Sequence, residues 1–116
     1  MFRKQDNKKL KEDECSPIKV MQMLSKKWAL LVLSLLVDDQ SLRYTELIDR
    51  LEGISPKTLT ERLRELERED IVARKVFSEI PPRVEYSLTK KGRELADSFE
   101  QVLDWAEKWY PATSDR

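Results

Sequence analysis

The apolar positions of this chain change period along its length, and the changes mark its elements. Ile18, Met21 and Leu24 recur at helical spacing behind Ser16-Pro17, a serine suited to cap a helix and a proline suited to its first position. Residues 28–37 are apolar on nearly every side, which predicts a second helix at the centre of the core. Asp38-Asp39-Gln40 ends it, and Ser41-Leu42 fits a very short strand. Tyr44, Leu47, Ile48 and Leu51 then fall at i, i+3, i+4 and i+7, one face of a short third helix. Glu52-Gly53-Ile54 is a tight connection with glycine where a helix end favours a left-handed residue. Ser55-Pro56 repeats the start signal, and Leu59, Leu63 and Leu66 form the core stripe of a fourth helix reaching about residue 69. Two helices joined by such a turn make a helix-turn-helix pattern.

Directly afterwards the period shortens. Residues 71–78 are rich in β-branched side chains, and Val84, Tyr86 and Leu88 alternate with Glu85 and Ser87. Glu79-Ile80-Pro81-Pro82-Arg83 lies between them as a turn stiffened by two prolines, so a β-hairpin follows the two helices. Thr89 can cap a last helix whose stripe, Leu95, Phe99, Val102, Leu103, Ala106 and Trp109, continues for about four turns. The expected fold is mainly α with a small β-hairpin. One domain spans residues 15–110, between a flexible charged arm at 1–14 and a tail at 111–116.

Composition narrows the chemistry. The 116 residues carry 22 Lys plus Arg and 22 Asp plus Glu, which argues against a polybasic binder working through bulk charge. There is no histidine, which removes His-ligated zinc and Ser-His-Asp triads. A single cysteine allows neither an intrachain disulfide nor a Cys-rich zinc site. No metal or cofactor is expected. Nothing brings a pocket, a base and a nucleophile together, so an enzyme is not expected either. The charged N-terminus lacks a signal-peptide apolar region, and residues 28–37 fall far short of the ~20 needed to span a bilayer. The expectation is a cytoplasmic protein without a membrane partner.

On the fourth helix, steps of 100° place Lys57, Glu61, Arg64 and Arg68 opposite the leucines, with Thr60 on the flank. Lys and Arg suit phosphates and guanine edges, and Thr can touch a thymine methyl or a phosphate. The Ser55 end presents free backbone N–H groups. Glu61 is useful only if it accepts from a cytosine amino group or positions Arg64. The competing account is a solvated face with Glu61 and Arg64 paired along the helix. The short preceding helix, the glycine turn and the hairpin favour nucleic acid. Arg83 at the hairpin tip suits a narrow minor groove, or is a solvated turn arginine. Arg74 and Lys75 lie on the first strand, and Arg43 and Lys27, near helix starts, could clamp a backbone.

These blocks resemble the HxlR-type transcriptional regulators, bacterial winged helix-turn-helix proteins of the MarR-like group. The similarity rests on CSP at 15–17, KWALL at 27–31, RYTEL at 43–47, GISPKTLT at 53–60, RLRELE at 62–67 and PPRVEYSLT at 81–89. Two departures stand out: Tyr44 replaces the familiar Phe, and Asp70 replaces the usual Gly. Tyrosine keeps the packing body, and Asp tolerates a left-handed conformation better than most residues.

The resemblance implies a homodimer on double-stranded DNA, its second motif helix in a major groove and its hairpin wing alongside. Lys57, Thr58, Thr60, Glu61 and Arg64 then lie near bases, and Ser55, Arg43 and Arg83 near phosphates or the minor groove. It also implies dimerisation through the terminal helices. Residues 95–109 offer more apolar surface than one small domain can cover, which assigns Phe99, Val102, Leu103, Ala106 and Trp109 to the interface, with residues 18–24 of the partner as a candidate surface. A twofold dimer would place its reading helices on half-sites about 34–36 Å apart, hence a palindromic operator. A winged-helix interaction module that does not bind DNA is the alternative.

Cys15 precedes the first helix cap, where helix amides favour a thiolate. Family members carry a recurrent cysteine there, and some use it to sense oxidants or electrophiles; a packed, inert thiol is the other reading. No small-molecule effector can be named. The neutral charge is also uneven: from Glu94 onward six acids face two bases, net −4, leaving +4 on residues 1–93.

Overall fold

The computed structural model describes residues 16–112. The charged arm, Cys15 and residues 113–116 lie outside that range. The order is α1 (Ser16–Leu24), α2 (Ala29–Asp38), β1 (Leu42–Arg43), α3 (Tyr44–Arg50), α4 (Pro56–Arg68), β2 (Val72–Phe77), β3 (Arg83–Leu88) and α5 (Lys90–Trp109). The strands form one antiparallel sheet in the order β1-β3-β2. Five helices with this sheet make a winged helix-turn-helix.

The start signals act as the sequence suggests. The Ser55 hydroxyl accepts from the Thr58 backbone N–H at 3.1 Å, with Pro56 in the first turn of α4. The Thr89 hydroxyl accepts from the Gly92 N–H at 2.9 Å. Gly53 has φ +96° and Asp70 φ 60°, so both connections turn through the left-handed region. Two boundaries and one strand pairing differ from expectation. Trp28 has φ 82° and precedes α2 rather than opening it. The short strand is Leu42–Arg43, one residue later than expected. It also joins the hairpin as a third strand, pairing Leu42 with Tyr86 and Arg43 with Glu85.

The core is continuous. Val32, Leu33 and Leu36 of α2 cluster with Leu47 of α3, Leu59, Leu63 and Leu66 of α4, and Val72, Tyr86 and Leu88 of the sheet. Each fully buried aliphatic side chain contributes roughly 1.5–3 kcal/mol relative to exposure, so this seam fixes how α4 sits against the sheet. Gly92 marks the tightest approach. A Cβ built there would lie 2.1 Å from the Ile71 carbonyl oxygen, so only glycine lets α5 leave the sheet at this angle. Along α5, Ala96 is buried, and Leu95 and Phe99 pack on the core. Beyond Phe99 its large apolar side chains are exposed.

Among the described residues no single helix is long and apolar enough to cross a membrane. The segments Pro17–Leu24 and Ala29–Asp38 reach that length and composition only as a pair bent by 85°.

Candidate nucleic-acid interface

The leucine stripe of α4 fixes what its other face can do. With Leu59, Leu63 and Leu66 in the core, Lys57, Glu61, Arg64 and Arg68 stand exposed on the outside. Among the described residues none of these four takes part in an ion pair. The spacing-matched Glu61–Arg64 pair of a solvated face does not form. The helix pairs its charges on another side: Arg62 Nη1 lies 2.9 Å from Glu65 Oε1, and Lys26 Nζ 2.7 Å from Glu65 Oε2. Arg62 also donates from Nε to the Lys27 carbonyl at 3.0 Å. Burial pushes the Glu65 carboxyl up, but the Lys26 hydrogen bond and the Arg62 guanidinium outweigh it and hold it below its ordinary value. These contacts lash α4 to the turn between α1 and α2 and leave its outer cations unpaired.

The start of α4 is fixed from two directions. Ser55 and Thr58 are joined hydroxyl to hydroxyl at 3.0 Å, so both are engaged in the helix start. Tyr44 of α3 donates its hydroxyl to the Pro56 carbonyl at 3.1 Å and lies 3.3 Å from the Thr60 hydroxyl. Since its one proton goes to Pro56, Thr60 is the donor in the second contact. The hydroxyl that distinguishes Tyr44 from phenylalanine therefore ties the two motif helices together. Arg43 is exposed at the N-cap of α3, its N–H donating to Glu46 at 2.7 Å.

On the wing, Arg83 is not a free tip residue. It opens β3, half-buried, its guanidinium carbon 3.8 Å from the centroid of the Phe77 ring. Nη1 lies 2.8 Å from Glu79, and Nε lies 3.0 Å from Glu85 without hydrogen-bond geometry. Two carboxylates flank one guanidinium, so Arg83 braces the hairpin, and Ile80 stands out at the tip. The i−4 and i+2 carboxylates around Arg83 were visible in the sequence as that signal. Arg74, which the sequence places on the first strand without assigning it a role, lies closer to α4 than the strand pattern indicates. With Tyr86 it faces Thr60, Arg64 and Glu67 of α4 across a polar cleft of about 280 Å³.

The candidate dimer surface lies elsewhere. Val102, Leu103, Trp105 and Trp109 of α5 and Tyr110 just after it are exposed, as are Leu30 and Leu31 of α2. Phe99, Val102 and Leu103 meet Leu30, Leu33 and Val37 around a shallow apolar hollow of about 70 Å³. Trp105 and Tyr110 pack edge to face, with centroids 5.9 Å apart. Ala106 is half-buried. Ile18 and Leu24 are buried within their own chain, so α1 leaves Met21 rather than those two for a partner.

The same architecture recurs in known proteins. A family described as HxlR-like helix-turn-helix matches residues 23–114. An uncharacterised HTH-type transcriptional regulator of Synechocystis is 54% identical over 76 residues, 66% of this chain, which spans only 56% of that relative's length. The uncharacterised HTH-type transcriptional regulator YvaP of Bacillus subtilis is 45% identical over 92 residues, covering 78% of this chain and 83% of its own. Among solved structures, the redox regulator HypR in its oxidized form superposes with a TM-score of 0.73 at 34% identity, covering 81% of this chain and 96% of that one.

Proposed function

The chain belongs to the HxlR-like helix-turn-helix family, and from that premise we propose that it is a transcriptional regulator binding a palindromic DNA operator as a homodimer. Helix α4 enters the major groove, with Lys57, Thr58, Thr60, Glu61 and Arg64 near base edges. Ser55 and Arg43 approach phosphates, and the wing lies alongside. The observation that carries this reading is the outer face of α4. Among the described residues Lys57 and Arg64 stand exposed without an ion pair, while Arg62 and Glu65 of the same helix are spent on holding it in place. Arg83 reaches a phosphate only by exchanging Glu79, whose carboxylate is the more exposed of its two partners. The exposed apolar run from Val102 to Tyr110 supports the dimer, since a contiguous patch of large apolar side chains usually meets a partner. HypR is a redox regulator, which supports Cys15 as the position through which oxidants or electrophiles change binding.

The test is a titration of the chain against its own upstream region and a random duplex. Arg64→Ala should weaken the first by about 1–3 kcal/mol and the second far less. Equal losses on both would contradict a base-reading arginine, and the absence of any salt-dependent complex would favour an interaction module that does not bind DNA.

A further inference from the structure

Strand β2 breaks its own alternation. Val72 is buried, and the next residue on the same face, Arg74, is charged and exposed. The register sets Arg74 opposite Tyr86, whose ring is buried in the core and which lines the same cleft. Across the cleft stand Thr60, Arg64 and Glu67 of α4. Two guanidinium groups therefore open on one cleft, and among the described residues neither is in an ion pair. Glu67 offsets one of the two charges, which leaves the lining with an excess of one cation. Arg74 is exposed on the strand face that buries Val72, so its guanidinium is accessible for a charge-assisted bond to an anion.

We propose that this cleft seats one phosphate of the DNA backbone, gripped by Arg74 with Tyr86 beside it on the paired strand. The inference rests on the DNA-binding reading above and deepens it. With α4 in a major groove and the wing beside it, the strand between them runs along this cleft. Arg74 presents a planar fork that matches two phosphate oxygens, as lysine cannot. It anchors the duplex without reading sequence, whereas Arg64, on the α4 side of the cleft, reaches bases.

Fluorescence anisotropy with the full chain tests this, using its own upstream region and a scrambled duplex between 50 and 200 mM salt as rough working limits. Arg74→Ala should weaken both duplexes by about tenfold and reduce the magnitude of the log–log salt slope by about 1. Arg74→Lys should keep the slope and recover only part of the affinity. Tyr86→Phe should weaken both duplexes less than Arg74→Ala does, with the slope unchanged. If Arg74→Ala does not fold, Arg74→Gln carries the same comparison. Wild-type affinity and slope in Arg74→Ala, beside a selective loss in Arg64→Ala, would overturn the phosphate seat and leave the DNA-binding reading standing. No salt-dependent complex from the wild-type chain would overturn both.

Discussion

Replacing Gly92 by alanine sets two physical effects against each other, and the structure decides between them. Gly92 lies in the first turn of α5, and its φ is not in the left-handed region. Helix propensity alone therefore predicts that alanine stabilises the chain by up to about 1 kcal/mol. The added methyl would sit 2.1 Å from the Ile71 carbonyl oxygen and 3.2 Å from Leu88. The nearest atom is backbone, and it also accepts from the Thr89 N–H at 3.1 Å, so it cannot swing aside. Overpacking typically costs about 1–3 kcal/mol, and a backbone clash belongs at the upper end. The net expectation is a loss of about 2 kcal/mol, or roughly 8 °C in Tm for a domain of this size. Thermal melts of both proteins at one fixed concentration measure it, because subunit association also moves Tm. Gly53→Ala is the control: its φ of +96° disfavours any Cβ, yet the nearest atom is a comfortable 3.9 Å away. That variant should lose about 1–2 kcal/mol from backbone strain alone. A Tm for Gly92→Ala equal to or above wild type would refute the steric argument.

Three further outcomes are expected. Leu103→Asp leaves the chain folded, since Leu103 is 43% exposed and outside the buried core, but weakens self-association by at least about 100-fold because a buried unpaired charge costs several kcal/mol; sedimentation showing an unchanged dimer would remove α5 from the interface. Glu65 has its pKa lowered in the fold, so its contribution is present above the ordinary value of 4.5 and fades as pH falls through the folded one. Wild type should exceed Glu65→Gln by less than about 1 kcal/mol at pH 7, and denaturation midpoints should converge under acid; a gap that widens instead reverses the sign. Cys15→Ser should keep basal DNA binding and abolish any response to diamide or quinones, whereas an unchanged response rules Cys15 out as the sensor.

The local signals of the fold were legible because each has a local cause. Ser55 caps α4 through a hydroxyl three residues from its target, and Gly53 and Asp70 turn the chain through their own φ angles. The leucines of α4 were legible for the same reason, since period alone assigns their face. The third strand was not. Leu42–Arg43 is two residues long, and its pairing with β3 depends on a partner 42 or more residues away. Trp28 escaped as well: an aromatic residue beside an apolar run reads as helix, and only the packed turn reveals its left-handed backbone.

The candidate site divides along the same line, and the division bears on its chemistry. Which residues face outward on α4 followed from the leucine stripe, but which of them keep a free charge did not. Glu65 draws in Lys26 from 39 positions away as well as Arg62 from its own helix. That leaves α4 with two cation classes, one holding the helix and one exposed on its far side. Arg83 shows the converse. It looked available because it sits beside a proline turn, but Glu79 and Glu85 flank it and Phe77 lies under it. Arg74 looked like an ordinary strand residue until the register set it beside Tyr86 and the core set α4 across from it. Charge counts over the whole chain cancel to zero, and counts over segments give +4 and −4. Neither describes what a duplex would meet, because pairing within the fold neutralises Lys26, Arg62 and Arg83 and leaves Lys57, Arg64 and Arg74 outside any ion pair among the described residues. A protein that is neutral as a whole can therefore present a local excess of cations along one helix and the root of its wing.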